Sequence, residues 1–198
     1  MAHNHMETPN THFCGVGLVN PKNPFNIGAV MRAAGCFNAS FLVAQGTRYK
    51  DNKADFRNMD VEQARKRMPC FLGVLNILDY VPYDTQIVAL ERCQGATSLP
   101  EFIHPRRALY VFGPEDGAVS EDILKAAQHK VYVPSNGSMN LGACAYTVLY
   151  DRASKSSAFS GTQPDCPSCG NYITKVVEGN NWKCCACNHH FTVDVKPD

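Results

Sequence analysis

The chain has 198 residues, enough for one main domain and a small appendage. Hydrophobic residues make up 44% of it and charged residues 19%, a composition that excludes a disordered protein. Because lysine and arginine total 19 against 18 aspartate and glutamate, any basic surface for nucleic acid or a membrane must be local.

Five short apolar runs predict β-strands in the first three quarters of the chain. They are rich in valine, isoleucine, leucine and aromatic residues and lack the strict alternation of a sheet with one exposed face. Such runs are typical of a parallel sheet that is covered on both faces. The predicted strands span residues 16–19, 41–44, 87–90, 109–112 and 131–133.

Helical patterns lie between these strands. The first follows Asn26, the second opens at Ser120 with two acidic residues in its first turn, and the last begins near Asn140. Strands that alternate with helices predict an α/β fold, a parallel sheet flanked by helices. The apolar stripes of the first and last helices are Ile27, Val30, Met31 and Ala34, and Leu141, Cys144, Ala145, Val148 and Leu149.

The composition changes after Arg152. Residues 153–164 are small and polar with Gly and Pro, which predicts a linker between a main domain over residues 1–152 and a second unit over residues 165–198. The second unit contains two Cys-x-x-Cys pairs separated by 14 residues, a spacing typical of structural zinc sites. We expect a small zinc ribbon in which Zn²⁺ is bound by Cys166, Cys169, Cys184 and Cys187.

Two other interpretations of this cysteine cluster stay open. His189 or His190 would replace one thiolate as a zinc ligand. Alternatively, the cysteines would form a pair of redox-active dithiols. One Cys-x-x-Cys would suffice for redox chemistry, whereas two at this spacing favour a metal.

Cysteine usage and hydropathy also bear on the location of the protein. Five of the ten cysteines lie singly in apolar, core-like stretches, which favours buried thiols in a reducing compartment. No run approaches the roughly 20 apolar residues that a membrane span needs. The polar first residues do not resemble a signal peptide. We therefore expect a cytoplasmic protein without a membrane partner.

Three further stretches contain residues that suit a ligand site. In residues 23–34, Asn26 stands at a helix start and Arg32 lies off the apolar face, although helix capping and solvation would also explain them. Residues 112–117 follow an apolar strand, where their glycines let a ligand approach the backbone or simply form a turn. Residues 133–141 lead into the last helix and contain Ser and Asn residues that would also cap it.

Together these stretches resemble the signature motifs of the SpoU (TrmH-like) RNA 2′-O-ribose methyltransferases of the SPOUT superfamily. The first motif is matched by Asn26, Gly28 and Arg32. The second is matched by Phe112, Gly113 and Glu115, with Gly117 one residue early. The third follows a loop that is shorter than usual for the family and is matched by Ser138, Met139, Asn140 and Leu141.

The resemblance implies a fold, a cofactor and an assembly. The C-terminal part of the sheet domain would be threaded into a trefoil knot, a feature that is otherwise nearly absent from proteins. S-adenosylmethionine (AdoMet) would bind to the knotted loops, and two copies would form a homodimer with the active site beside the subunit interface. The residues that the resemblance assigns to AdoMet binding are Leu90, Gly113, Gly117, Val133, Ser138 and Leu141.

The resemblance also assigns catalytic roles, and Arg32 matches the family's proposed catalytic residue. Because a guanidinium holds its proton tightly, we expect Arg32 to hold the phosphate beside the target ribose and to stabilise the developing alkoxide. Asn26, Glu115 and Asn140 would orient Arg32 and the ribose, with Glu115 paired to Arg32 through two hydrogen bonds. Ser138 completes the expected catalytic set.

RNA would be the substrate, with transfer RNA and ribosomal RNA both open. Arg106, Arg107 and a basic segment over residues 45–69 would contact the phosphate backbone. Two rival functions are a non-catalytic RNA- or ribosome-binding module on the same fold and a zinc-dependent redox or docking protein. A solvated surface of mixed charge would equally explain the cations of the segment, which are Arg48, Lys50, Lys53, Arg57, Arg65, Lys66 and Arg67.

Overall fold

The chain forms two compact units, Met1–Ala153 and Ser154–Asp198, here named the sheet unit and the ribbon. A computed structural model describes residues 13–155 of the first part of the chain. In the C-terminal part it describes residues 166–169, 174–178, 181–184 and 187–192.

Seven strands of the sheet unit form one parallel sheet in the order β3-β2-β1-β6-β4-β7-β5. Five of them overlap the predicted runs, and the predicted α/β fold with a parallel sheet flanked by helices is confirmed. The sequence patterns miss β3, which Gly73 interrupts at a φ of 77°, and β5, which has only two residues. The strands are β1 (Phe13–Val19), β2 (Phe41–Gln45), β3 (Cys70–Val74), β4 (Gln86–Leu90), β5 (Thr97–Ser98), β6 (Arg107–Phe112) and β7 (His129–Tyr132).

The three predicted helices are present, and short 3₁₀ helices lie between the first and the second of them along the chain. None of the helices in the described ranges combines the length and the apolar content that a membrane span requires. The trefoil knot that the resemblance implies remains a prediction. The α-helices are α1 (Pro24–Cys36), α2 (Glu121–Ala126) and α3 (Leu141–Lys155), and the 3₁₀ helices are Arg48–Asp51, Phe56–Asn58, Ala64–Lys66, Ile77–Tyr80 and Leu99–Glu101.

Both faces of the sheet are buried, which explains why its central strands are continuously apolar. In β2, Leu42 joins a core with Ile27 of α1 and Leu149 of α3. The next residue, Val43, points to the opposite face and joins a core with Ile123 of α2. Full burial of one such side chain contributes about 1.5–3 kcal/mol. Apolar burial on two faces therefore holds this unit together.

Helix α1 begins earlier than the sequence pattern predicts. Its N-cap is Asn23, whose Oδ1 accepts a hydrogen bond from the Phe25 amide at 3.0 Å. Pro24 suits the first helical position, because proline lacks the amide proton that would be left unpaired there. The helix-capping interpretation of Asn26 is therefore wrong. Asn26 lies inside the first turn and is buried.

The glycines of α1 allow two 3₁₀ segments to pack on it. A Cβ atom on Gly28 would collide with the backbone carbonyl of Phe56, and one on Gly35 would lie 2.5 Å from the Cβ of Ala64. Arg32 lies about 40° around the helix from Gly28, because each residue advances by about 100°. The glycine of the first motif is thus required by packing, and it fixes a 3₁₀ segment beside Arg32.

Helix α3 begins at Leu141, as predicted from its apolar stripe. Asn140 caps it, since its Oδ1 accepts a hydrogen bond from the Gly142 amide at 2.9 Å. Gly142 also lies against α1, because an added Cβ atom would lie 2.7 Å from the Cβ of Ala29. Small residues therefore let the two helices approach closely.

The last turns of α3 carry a buried polar network. His104 Nε2 lies 2.8 Å from the Asp151 carboxylate, and His104 Nδ1 lies 2.6 Å from the Tyr110 hydroxyl. The buried guanidinium of Arg152 donates a hydrogen bond to the same hydroxyl at 2.9 Å. It also donates to the carbonyl oxygens of Phe13, Pro105 and Arg106. These bonds compensate the buried charge and hold the end of α3 beside the start of β6.

Helix α3 extends into the segment predicted as a linker, residues 153–164. Ala153 is buried one turn after Leu149, and the helix continues to Lys155. The first three residues of that segment are therefore helical, because this apolar contact outweighs the small, polar composition. The remaining residues of the predicted linker lie outside the described ranges.

The ribbon contains an antiparallel sheet in the order β10-β9-β8. Its strands are β8 (Thr174–Glu178), β9 (Asn181–Cys184) and β10 (His190–Thr192). Trp182 and Phe191 are paired across β9 and β10, and both are partly exposed. Of the ribbon side chains that the structure describes, those of Cys166 and Cys184 are buried.

Candidate active site

A cleft of about 400 Å³ opens at the C-terminal ends of β4, β6 and β7. These strands are neighbours in the sheet, so their carboxyl ends meet at one edge, where ligands bind in open α/β sheets. Small-molecule sites have volumes of about 300–1,000 Å³, a range that includes this cleft. All the residues predicted to bind AdoMet line it: Leu90, Gly113, Gly117, Val133, Ser138 and Leu141.

The turn after β6 forms part of the cleft wall and is tight. A Cβ atom on Gly113 would lie 3.0 Å from the amide nitrogen of Val119. That amide donates a hydrogen bond of 2.9 Å to Glu91 Oε2 at the end of β4. A glycine here therefore lets the turn pack against the neighbouring strand end and leaves backbone atoms facing the cleft.

Several cleft residues were not among the sequence-predicted site residues. The guanidinium of Arg92 lies 5.4 Å from the ring centroid of Tyr132 and donates a hydrogen bond to the Ser135 carbonyl at 3.2 Å. A position directly after an apolar strand is the sequence signal that points to Arg92 and to Glu91 before it. Cys144 of α3 also lines the cleft, and burial raises the pKa of its thiol to about 11.

A chain of side-chain hydrogen bonds joins the three motifs at the rim of the cleft. Asn26 Nδ2 donates to Glu115 Oε1 at 2.8 Å. Asn140 Nδ2 donates to Asn26 Oδ1, also at 2.8 Å. Since Asn140 Oδ1 caps α3, each of these polar groups has a defined orientation. Residues far apart in the chain are thereby brought into one rigid group.

The Glu115 carboxylate also holds the loop before α1. Its Oε2 accepts a hydrogen bond from the Lys22 amide at 2.9 Å, and its Oε1 accepts one from the Asn23 amide at 3.0 Å. Burial alone would raise the pKa of Glu115, but the hydrogen bonds from Asn26 and these amides outweigh burial and lower the pKa. Glu115 is therefore an anion at neutral pH.

Arg32 lies apart from this network. Its side chain is exposed, does not line the cleft, and makes no hydrogen bond or ion pair with another residue in the described ranges. The prediction of a bidentate pair between Glu115 and Arg32 is therefore wrong. Asn26 and the amides before α1 occupy the carboxylate, whereas Arg32 lies about two turns farther along the helix.

Exposed apolar side chains lie on α1, on α3 and directly before α3. Phe25 of α1 is 41% exposed, Tyr150 of α3 is 64% exposed, and Met139 before α3 is 37% exposed. Burial raises the pKa of Tyr146, and the nearby charge of Arg32 partly opposes this rise. Arg32 thus lies on an exposed strip formed by α1 and α3, here named the α1/α3 strip.

Acidic side chains neutralise part of the predicted basic segment. The ion pairs are Arg48–Asp116 (2.7 Å), Arg57–Asp55 and Arg65–Asp60 (2.8 Å). Arg107 does not extend into solvent, because its guanidinium lies 4.7 Å from the ring centroid of Phe13. Among the cations predicted to contact RNA, those that are exposed and make no ion pair within the described ranges are Lys50, Lys53, Lys66, Arg67 and Arg106.

The ribbon brings four thiols to one point. The Sγ atoms of Cys166 and Cys187 are 3.7 Å apart, as are those of Cys169 and Cys184, and all four lie within 4.8 Å of one another. Tetrahedral Zn–S bonds of about 2.3 Å require sulfur atoms about 3.8 Å apart. The four predicted ligands therefore fit zinc in number, chemistry and spacing.

The geometry distinguishes between the other interpretations of the cluster. His189 and His190 are exposed and lie outside the group of convergent ligand atoms, so neither replaces a thiolate. The two 3.7 Å sulfur contacts join cysteines of different Cys-x-x-Cys pairs, whereas a redox dithiol joins the two cysteines of one pair. The Cys187 amide donates to Cys184 Sγ at 3.5 Å, a contact that suits a metal-bound thiolate. The arrangement favours a metal centre.

Known proteins share the fold of the sheet unit. AviRb, a SpoU methyltransferase from Streptomyces viridochromogenes solved in complex with the cofactor AdoMet, is 20% identical with a TM-score of 0.62. The match covers 73% of this chain and 58% of AviRb, so this chain spans less than two thirds of that protein. A likeness at this identity shows the fold.

Two further structures and one family model complete the comparison. The TrmH/SpoU tRNA modifying enzyme of A. aeolicus is 22% identical, with a TM-score of 0.62 over 73% of this chain and 75% of its own. A structure concerning the 2-OH methylation of C/U34 on tRNA is 20% identical, with a TM-score of 0.62 over 73% of this chain and 97% of its own. Comparison with curated proteins gave no significant match. Residues 14–150, more than half of the chain, match the SpoU rRNA Methylase family model, and the chain therefore belongs to that family.

Proposed function

We propose that this protein transfers a methyl group from AdoMet to a ribose 2′-hydroxyl of RNA. The hydrogen-bonded chain of Glu115, Asn26 and Asn140 carries the proposal, because it joins the three SpoU motifs at the rim of a cleft. One solved structure of this fold concerns 2-OH methylation of C/U34 on tRNA, which supports a ribose hydroxyl as the target.

The cleft fits AdoMet in size and in lining. Apolar side chains such as Leu90, Val133 and Leu141 would pack against the adenine, while main-chain groups at the strand ends would bind its edge. Gly113 and Gly117 would let the ligand lie close to the backbone. When bound, AdoMet supplies a methyl group that its sulfonium already activates.

The protein must then place the ribose oxygen in line with that methyl group and assist the loss of its proton. Arg32 would hold the neighbouring phosphate and stabilise the developing alkoxide through its fork of N–H donors. Asn26 and Asn140 would orient the ribose, and Ser138 at the cleft would contact the reacting groups. Glu115 acts through Asn26, which makes it a positioning residue.

We also propose a homodimer that forms through the α1/α3 strip. Arg32 is exposed there and does not line the cleft of its own chain, so a second copy would bring Arg32 to a cleft. The exposed Phe25 and Tyr150 supply apolar area for such an interface. Light scattering should give a dimer for the wild-type protein and for Tyr83→Glu, which changes an exposed tyrosine elsewhere, and a monomer for Tyr150→Glu. A monomeric wild-type protein would contradict the assembly.

RNA, zinc and the ribbon complete the proposal. Exposed cations such as Lys50, Lys53 and Arg106 would contact the RNA backbone, and transfer RNA and ribosomal RNA are both suitable substrates. The four thiolates would hold a structural Zn²⁺, and the ribbon would help to select the RNA or would dock on a partner. Single cysteines that are buried or partly buried in the sheet unit, such as Cys14, Cys70 and Cys144, suit a reducing, cytoplasmic location.

Two measurements test the methyl transfer. Calorimetry with S-adenosylhomocysteine (AdoHcy) should detect a binding site in each chain. Cellular RNA incubated with the protein and labelled AdoMet should gain label in nucleotides that resist alkaline cleavage, because a 2′-O-methyl group blocks that reaction. Binding without transfer would favour the non-catalytic RNA-binding module, and label on a base would exclude the ribose as the target.

Arg32→Ala tests the assignment of the catalytic arginine. We expect AdoHcy affinity to stay within about twofold, and the transfer rate to fall by about a hundredfold or more because a donor to the developing charge is lost. Lys125→Ala removes the same charge from α2, where Lys125 pairs with Glu121, and should retain wild-type transfer. An Arg32→Ala protein with wild-type activity would overturn the assigned role.

A further inference from the structure

We propose that Arg92 binds the carboxylate at the amino-acid end of AdoMet, an inference that rests on the proposed function. Arg92 is the one cationic residue among the described residues that line the cleft. AdoMet carries one anionic group, the carboxylate at the end opposite its adenine. Charge complementarity therefore assigns that end of the ligand to the wall of the cleft beside the end of β4.

Two contacts hold the guanidinium in place. It lies against the ring of Tyr132 at the end of β7, 5.4 Å from the ring centroid. One of its N–H groups donates to the Ser135 carbonyl at 3.2 Å. A guanidinium has five N–H donors, so this bond leaves donors for a planar anion such as a carboxylate. Stacking and a backbone tether reduce the entropy that Arg92 would lose on binding the ligand.

The two acidic residues of the cleft are engaged elsewhere. Glu91 Oε2 accepts a hydrogen bond from the Val119 amide at 2.9 Å, and Glu91 Oε1 accepts one from the backbone amide of Arg92 at 3.1 Å. Glu115 binds the side chain of Asn26. Within the described ranges, neither carboxylate forms an ion pair with the Arg92 guanidinium, so the charge remains available to an anionic ligand.

The tether gives Arg92 a second effect that the experiment must separate. Ser135 lies in the short loop before α3, so the bond from Arg92 fastens that loop to the end of β4. Loss of Arg92 would therefore loosen the loop as well as remove the charge. A ligand that differs from AdoHcy only by lacking its carboxylate distinguishes these effects, because loop loosening weakens the binding of both ligands.

Calorimetry on the full-length protein tests the inference with AdoHcy and with decarboxylated AdoHcy. We expect Arg92→Gln to weaken AdoHcy binding by about tenfold, the loss of one hydrogen-bonded charge pair at a partly solvated site. Decarboxylated AdoHcy should bind the variant and the wild type within about twofold. Arg92→Lys keeps the charge without the planar fork, so its affinity for AdoHcy should lie between those of Arg92→Gln and the wild type. Lys125→Gln removes the same charge outside the cleft and should bind both ligands as the wild type does.

Other outcomes would overturn the inference. If Arg92→Gln weakened the binding of both ligands equally, Arg92 would act only by fastening the loop. If Arg92→Gln kept its affinity for AdoHcy but raised the KM for RNA, the guanidinium would be assigned to an RNA phosphate. If the wild-type protein bound no AdoHcy, the proposed function would fail together with this inference. Wild-type binding combined with an insensitive Arg92→Gln variant would overturn this inference alone.

Discussion

The sheet unit and the ribbon hold their folds together by different means. The sheet unit buries apolar side chains on both faces of a seven-stranded sheet, with Leu42 and Val43 in opposite cores. Of the ribbon side chains that the structure describes, those of Cys166 and Cys184 are buried. A unit this small rarely folds on apolar burial alone, whereas binding of zinc to four thiolates contributes about 10–16 kcal/mol. The candidate active site therefore lies in the sheet unit, whose fold is held together by apolar burial.

Removal of the metal should distinguish the two units most strongly. With a strong chelator at neutral pH, we expect the amide signals of residues 174–192 to lose their dispersion completely, because the thiolates would lose the proposed zinc ion that they share. The thermal unfolding of the sheet unit and its AdoHcy affinity should not change. NMR, calorimetry and a colorimetric zinc assay would measure these effects.

A pair of cysteine variants gives the same test without a chelator. Cys184→Ser removes a thiolate from the cluster, and we expect it to unfold the ribbon and to lower the bound zinc. Cys93→Ser changes a partly buried thiol of the sheet unit and should leave the zinc content unchanged. A ribbon that stayed folded in zinc-free protein would remove the contrast between the two units.

Gly28→Ala should give the next largest effect, and it should be confined to the sheet unit. The added methyl group would collide with the carbonyl of Phe56, so α1 and the 3₁₀ segment must separate. We expect the free energy of unfolding, measured in urea, to fall by about 3 kcal/mol. Gly137→Ala is the control, since nothing lies within 4 Å of its added Cβ atom. A Gly28→Ala protein of wild-type stability would show that the segment does not pack on α1 as described.

Glu115→Gln should give the smallest effect, one that depends on pH. The pKa of Glu115 is lowered in the folded protein, so its ionised form stabilises the fold above the unfolded-state pKa of about 4.3. We expect the variant to be less stable than the wild type by about 1 kcal/mol at pH 7. This difference should shrink as the pH falls below the unfolded-state pKa and through the lower folded-state pKa, because the wild-type carboxylate then gains a proton.

A matched acidic variant makes the pH dependence specific. Glu121→Gln changes an exposed carboxylate that pairs with Lys125 one turn away on α2. Its stability should stay within about 0.5 kcal/mol of the wild type. A difference between Glu115→Gln and the wild type that stayed constant from pH 3 to 7 would show that the charge of Glu115 does not support the loop before α1.

Much of the site could be predicted from the sequence because its motifs are local. Gly113 and Leu90 end or follow apolar strands, and the ends of parallel strands meet at one edge of a sheet. The start of α1 could not be predicted in the same way, because Asn23 and Asn26 are both suitable caps. Only Asn23 accepts the hydrogen bond of a cap, from the Phe25 amide. The Glu115–Arg32 pair is predicted from the family resemblance and from opposite charge. Backbone amides, which every sequence contains, compete for the same carboxylate.

The sequence by itself determined the parallel α/β fold, the SpoU family and the spacing of the four cysteines. Each depends on short stretches of chain, because apolar runs, turn residues and motif spacing are all local features of the sequence. Only the tertiary structure decided that Glu115 binds Asn26, that Arg32 lies on the α1/α3 strip, and that Arg92 is the cation of the cleft. The physical reason is that these contacts depend on the strand order β6-β4-β7 and on the packing of α1 against its neighbours. Both arise from pairings between residues far apart in the chain, which no local pattern records.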